Sequence, residues 1–324
     1  MLNRRTLLPA TAAAFAAPAI ARAETWPARP IRLVVPYPPG GGTDVISREV
    51  GARLAAAKGW TMIADNRPGA GGNIGIDAVA KSPPDGYTIG MGQTSNLAIN
   101  PTLYERTIPY QPLRDLTLVS LIAFQPSVFV VAKSAPWKTL GEYLAYAKAS
   151  PGKATMGHPG SGTVGHLSEE MLALAAGVEV LIVPYRGAGQ VIADLLAGRV
   201  DMFSANPLAV RGLLESGELR ALAVTGKTRA QAMPDVPTVA ESGFPDFEAV
   251  NWTGLVAPAG APEPIVRELN AQVTAVLGTQ EAIARLAAEG SEPRPSTPEA
   301  FRAFLAAEIG KWGKVVRDAK VEVG

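Results

Sequence analysis

Not one cysteine occurs in the 324 residues, which removes disulfide scaffolds, thiol nucleophiles and thiolate metal sites together. Histidine is almost as scarce. His158 and His166 are the only two, and no HExxH, GxSxG or carboxylate-rich metal spacing accompanies them. The sequence therefore predicts no catalytic set, no metal and no cofactor. A charge excess is missing too: 30 basic residues face 29 acidic ones. Without the three arginines of residues 1–23 the balance is 27 against 29. No basic cluster stands out, which excludes the nucleic-acid binders that rely on one. What is abundant is apolar surface, at 47% of residues, enough over this length for two medium domains.

Residues 1–23 carry a basic head at Arg4 and Arg5, an apolar run from Leu7 to Ile20, and Ala21-Arg22-Ala23 before Glu24. The run is shorter than the about 20 residues of a membrane span, and the small residues suit a signal peptidase. The pattern predicts a cleaved secretory signal. The Arg4-Arg5 pair leaves the Sec and twin-arginine routes both open.

Beyond it, short β-branched runs alternate with amphipathic stretches. Ile31 to Tyr37 reads as a strand, Pro38 to Gly42 as a glycine loop, and Asp44 to Lys58 as a helix. Tyr87 to Met91 reads as a strand followed by a loop from Gly92 to Asn96, and Val128 to Ala132 as a strand before a helix at Leu140 to Ala149. Lys153 to Gly157 and Val180 to Tyr185 precede helices at Val164 to Ala176 and Gly189 to Ala197. Met202 to Ala205 and Leu219 to Thr225 follow as strands, then a long strand from Phe247 to Ala257. The remainder reads as helices from Pro264 to Leu277, Glu281 to Glu289 and Pro298 to Lys320, with Thr297 as a cap. This alternation predicts α/β layers with largely parallel sheets, which bind ligands at the carboxyl ends of their strands.

Four loops rich in small donors stand out: Gly40 to Thr43, Gly69 to Asn73, Thr94 to Asn96 and Gly160 to Thr163. Where such a loop opens a helix, unpaired amides and the positive end of the helix dipole form an anion site. A single one is an ordinary tight turn. Four together suggest a carboxylate cradle.

Other motifs compete with that reading. Gly160 to Gly165 matches the dinucleotide pattern G-x-G-x-x-G, yet the next strand ends Pro184-Tyr185-Arg186 instead of in the acid a ribose requires. An NADP-linked enzyme stays open. Gly226-Lys227-Thr228 resembles the end of a phosphate loop, but Ala221 stands where its first glycine belongs. A Ser161, His166 and Asp201 hydrolase lacks a nucleophile elbow. Arg186 offers either a carboxylate partner or a structural ion pair. His166 falls on the first helical turn after the Gly162 loop, where contact with a ligand and simple packing are both open, and His158 reads as loop structure.

Several segments together resemble the Bug family, the periplasmic substrate-binding receptors of tripartite tricarboxylate transporters. They are Trp26-Pro27 with Arg29-Pro30-Ile31, Val35 to Asp44, Asp65 to Gly75, Asp85 to Thr88, Val183 to Gly187, Asp194 to Gly198 and Pro234 to Thr238. The resemblance implies a type II periplasmic binding protein fold, in which two α/β lobes joined by crossing strands enclose a ligand cleft. It places residues 24–124 and 248–324 in one lobe and 125–247 in the other. It further implies a monomer that hands a small organic acid to membrane permease subunits; a ligand-sensing subunit for a membrane kinase is the variant of that role. By the same resemblance the ligand is held by Tyr37, Gly41, Gly42, Thr43, Asp44, Ser95 and Asn96 of the first lobe. Ser161, Gly162, Thr163, Tyr185 and Asn206 face them from the second. Asp44 suits a bridging water, an amine or a helix cap better than a direct contact with another carboxylate. Phe124, Phe203 and Trp252 are the aromatic candidates for reaching the cleft.

Overall fold

Four of the five residues of Ile31–Val35 are buried, which makes this run the kind of doubly covered strand that parallel sheets use at their centre. It is β1 of a computed structural model that describes residues 26–322. The expected signal sequence lies outside the described residues. β1 leads into α1 (Gly42–Lys58), followed by β2 (Met62–Asn66), α2 (Asn73–Ala80) and β3 (Thr88–Gln93). Two single-turn helices, α3 (Asn100–Leu103) and α4 (Pro112–Asp115), precede the long β4 (Leu116–Pro126). Next come β5 (Val128–Ala132), α5 (Leu140–Ala149), β6 (Thr155–His158), α6 (Val164–Ala176) and β7 (Leu181–Pro184). They are followed by α7 (Ala188–Leu196), β8 (Met202–Ala205), α8 (Pro207–Glu215) and β9 (Leu219–Val224). The chain closes with β10 (Val250–Pro258), α9 (Glu263–Leu277), α10 (Gln280–Ala288), β11 (Glu292–Pro293) and α11 (Pro298–Asp318).

The strands form two sheets. The first has the order β11-β4-β10-β3-β1-β2 and the second β7-β6-β8-β5-β9. β1 runs parallel to β2 and β3, and β6 parallel to β7 and β8, as the strand, loop and helix alternation predicts. β10 and β11 in the first sheet and β5 in the second run antiparallel to their neighbours, and β10 and β5 each belong to a passage between sheets. Only Ser127 separates β4 from β5, whereas residues 225–249 separate β9 from β10. The two passages are bonded to each other. Ser127 N donates to Thr225 Oγ1 at 2.8 Å, Thr225 N to Ser127 O at 2.9 Å, and Ala249 N to Thr225 O at 3.0 Å.

The structure departs from the sequence reading in several places. β2, α2, α3, α4, β4, α8 and β11 are additional elements. The expected loop from Gly92 to Asn96 is a strand end and the start of a wide helical turn at Ser95–Ile99, whose Asn96 Oδ1 accepts from Gln93 N at 2.9 Å. The expected strand at Phe247 begins only at Val250, because Phe247 N closes a turn onto Phe244 O. Thr297 does cap α11, accepting from Ala300 N at 3.2 Å.

The three candidate aromatics are core residues. Phe203 and Trp252 are each 1% exposed, and Phe124 stacks on Phe304 with ring centroids 5.4 Å apart. Trp252 Nε1 and Trp312 Nε1 both donate to Glu308 Oε2, at 2.7 and 2.8 Å, and Lys311 pairs with the same buried carboxylate. The indoles are thereby fixed inside the lobe, and neither lines the cleft between the sheets.

Candidate functional site

α1 starts at Gly41 with no side-chain cap on its first-turn amides. The N–H groups of Gly42 and Thr43 therefore have no partner inside the helix. The loop before them is held from below by Asp44, whose carboxylate accepts from Gly40 N at 2.9 Å, Arg48 Nε at 2.9 Å and Asn66 Nδ2 at 2.8 Å. Burial acts to raise the Asp44 pKa, but the bonds from Arg48, Gly40 and Asn66 outweigh it and hold the carboxyl below its usual range. Thr43 Oγ1 donates to Gln93 Oε1 at 2.7 Å. Gly42 lies beside Gln125, whose Nε2 would sit 3.8 Å from a Cβ at that position.

α6 presents the same device from the second sheet. Thr163 Oγ1 caps it by accepting from His166 N at 3.2 Å, and donates to Gly160 O at 2.7 Å. The first two amides of the helix, at Val164 and Gly165, are left without intrahelical acceptors.

A cleft of about 210 Å³ opens onto the α6 terminus, and the α1 terminus adjoins it only behind Gln93 and Gln125. Gln93, Ser95, Gln125 and Asn251 line it from the first sheet, Pro126 and Ser127 form its base, and Pro159, Thr163, Val164, Gly165, Ser204 and Asn206 line it from the second. None of these carries an ionisable side chain. The volume is below the roughly 300–1,000 Å³ of drug-sized pockets and suits a small molecule. Neutral donors and the α6 dipole in such a space favour an anion without a counter-charge. Among the described residues no group of His, Asp and Glu is arranged to hold a metal ion. A larger groove of about 510 Å³ lies on the other side of Pro126, between α8, residues 230–233 and α10. Its walls are mostly apolar, with Ile283, Ala284, Ala287 and Met233 beside Arg211, and Pro207 and Gln280 at the starts of α8 and α10 also line it.

Of the residues singled out from the sequence, Ser95, Thr163 and Asn206 line the cleft directly. Asn206 Oδ1 also caps α8, accepting from Leu208 N at 2.9 Å. Gly42 and Thr43 reach the wall through Gln125 and Gln93. Gly41 N-caps α1 on the exposed loop. Tyr37 and Asn96 stand one layer back: Asn96 Nδ2 donates to the Tyr37 hydroxyl at 3.2 Å, which itself donates to Gly71 O at 3.1 Å. Burial pushes the Tyr37 hydroxyl well above its ordinary pKa in spite of bonding to Gln93, Ser95 and Asn96, so it stays a neutral donor. Ser161 is exposed at the loop tip, and Gly162 packs against Leu103 of α3. Tyr185 donates to Asp194 Oδ2 at 2.8 Å; burial and that carboxylate raise its pKa to about 12. Gln93, Gln125, Ser204 and Asn251 were not legible as site residues. Gln125 and Asn251 meet from strands 126 positions apart, Asn251 Nδ2 donating to Gln125 Oε1 at 3.1 Å.

The family model described as "Tripartite tricarboxylate transporter family receptor" matches residues 46–321. The chain belongs to that family. Protein BugT of Bordetella pertussis is 39% identical over 297 residues, covering 91% of each chain. Among solved structures, an R. palustris protein crystallised with adipate is 39% identical, with a TM-score of 0.79 over 92% of this chain and 99% of that one. MatC of Rhodopseudomonas palustris with bound malate is 33% identical, with a TM-score of 0.74 over 90% and 99%. This receptor shares their type II periplasmic binding fold of two α/β lobes with the cleft between them. The dinucleotide and hydrolase readings of the Gly160 loop are not favoured.

Proposed function

We propose that this receptor captures a small organic carboxylate between the N-termini of α1 and α6 and delivers it to the membrane subunits of a tripartite transporter. The observation that carries the reading is the cleft itself, where the α6 start opens with unpaired amides, Gln93 and Gln125 join the opposite wall to the α1 start, and no ionisable side chain lines the space. The relatives solved with adipate and malate extend it to a dicarboxylate of this size. Contacts made to both lobes at once favour the closed form, so binding and closure draw on the same free energy. The lobes divide near the two passages, with residues 24–124 and 248–324 assigned to the first and 125–247 to the second, although Gln125 and Pro126 still pair with β10 of the first sheet. Gly42, Thr43, Ser95, Thr163 and Asn206 hold the ligand, with Tyr37, Gly41, Asp44, Asn96, Ser161, Gly162 and Tyr185 shaping the surrounding loops. The chain works without catalysis, as an exported monomer whose first 23 residues are removed.

A thermal-shift panel tests this, with adipate, malate and their diamides as ligands, alongside mass spectrometry of anything released on denaturation. A binder at 100 times its Kd adds about 2.7 kcal/mol of stability. Stabilisation by acids and not by diamides is expected; stabilisation by neither, or equally by both, contradicts the reading.

A further inference from the structure

The loop from Gly160 to Gly162 has no strand or helix ladder of its own to fix it, yet it presents the α6 terminus to the cleft. Thr163 holds its Gly160 carbonyl, and an imidazole pair holds its amides. His158 Nδ1 accepts from Gly160 N and His166 Nδ1 accepts from Gly162 N, each at 3.2 Å. The two rings stack with centroids 4.0 Å apart and planes 22° from parallel. They are 2% and 6% exposed. To accept at Nδ1 both rings must be neutral and carry their proton on Nε2. A proton added at either Nδ1 sets N–H against N–H and deletes the bond.

We propose that His158 and His166 are positioning residues that set the shape of the ligand loop by accepting its amides, so that protonating the pair weakens carboxylate binding. The inference rests on the carboxylate-receptor reading above. Burial, and then the neighbouring His166, push the His158 pKa down to about 4. A depressed histidine contributes its stability fully above the ordinary value of about 6.5 and loses it as pH falls toward the folded value. The ionisable neighbours are few. On α6, Glu170 Oε1 lies 3.5 Å from His166 Nε2, and the buried Glu169 is held protonated chiefly by its desolvation. β7 and β8 bring no ionisable side chain. α11, which also packs on α6, carries Glu299, Arg302, Glu308, Lys311, Lys314, Arg317 and Asp318, none of which bonds to either ring. The sign of the effect is diagnostic, because simple attraction between an imidazolium and a carboxylate would tighten binding in acid.

The experiment measures adipate affinity from pH 8 to pH 3.5, through the His158 value of about 4, for the full receptor and for His158→Phe, His166→Phe, His158→Asn and His166→Asn. Asparagine Oδ1 replaces the Nδ1 acceptor and cannot be protonated in this range. The Phe variants are expected to bind about tenfold more weakly at neutral pH, the cost of about one buried hydrogen bond. The Asn variants recover that loss and flatten the acid fall of the wild type; the ligand's own protonation cancels in the ratio. Hydrogen exchange of the Gly160 and Gly162 amides in the ligand-free protein is read in parallel, with faster exchange expected in the Phe variants only. Wild-type affinity that is flat or rises in acid, or Phe variants that bind and exchange like wild type, overturn the proposal. If wild type ignores adipate at every pH the receptor reading fails instead, and amide exchange alone decides the role of the histidines.

Discussion

Gly162 of the second lobe lies so close to Leu103 of the first that a Cβ on the glycine would fall 2.5 Å from Leu103 Cδ2. The glycine also has a φ of +73°, where an L side chain is strained. This is a direct contact between the lobes beside the ligand loop, and it has room for hydrogen only.

Gly162→Ala is therefore expected to hold the lobes apart and to weaken carboxylate binding about tenfold, a shift of about 1.4 kcal/mol. Small-angle scattering would show a larger radius of gyration in the presence of ligand than for wild type. Adding Leu103→Ala opens space for the new methyl group and restores part of the affinity, with the strain from φ left in place.

Asp44 is predicted to act on the first lobe's loop and not on the ligand. Asp44→Ala removes the acceptor shared by Gly40, Arg48 and Asn66 and should cost about 2–3 kcal/mol, readable by urea denaturation. Its depressed pKa means that this stability is present above the ordinary carboxylate value of about 3.9 and is lost as pH falls through the folded one. Asp44→Asn should accordingly narrow the gap to wild type as the solution is acidified.

At the passage between lobes, Thr225→Val keeps the shape of the side chain and takes away the acceptor of Ser127 N. Thr225 is fully buried, so an unpaired amide remains and about 1–3 kcal/mol of stability is lost. Thr225→Ser keeps the hydroxyl and should stay near wild type in the same melt.

These positions differ in how far the sequence alone reveals them. β1 with α1, and β6 with α6, are legible because a β-branched run, a glycine loop and an amphipathic stretch follow one another within a few residues. β4 is not, because it is buried along nearly its whole length and passes into β5 after Ser127 alone, so neither alternation nor a turn marks its end. β2 is a half-exposed edge strand ending in Asp65-Asn66, whose polar residues hide it. The glycine loops of the site are visible for the same local reasons. Gln93, Gln125 and Asn251 become neighbours only through strand pairing over long separations; the one local signal is a polar amide near one end of an apolar strand.

Glu169 is an acid that should stay protonated. It is fully buried, its Oε1 accepts from Ser204 N at 2.9 Å, and its Oε2 has no partner among the described residues. Burial raises its pKa well above the usual value, so the stability it contributes is present at low pH and is lost as pH rises through the folded value. Glu169→Gln retains the acceptor for Ser204 and cannot ionise. Its Tm should fall less than that of wild type between pH 5 and pH 9.

The grip of two helix termini on one carboxylate is tested most directly by amide chemical shifts on titration with adipate. The account predicts that Gly42 and Thr43 in one lobe and Val164 and Gly165 in the other shift together, with a single affinity. Shifts confined to one lobe, or centred on the apolar groove around Ile283 and Met233, would contradict it.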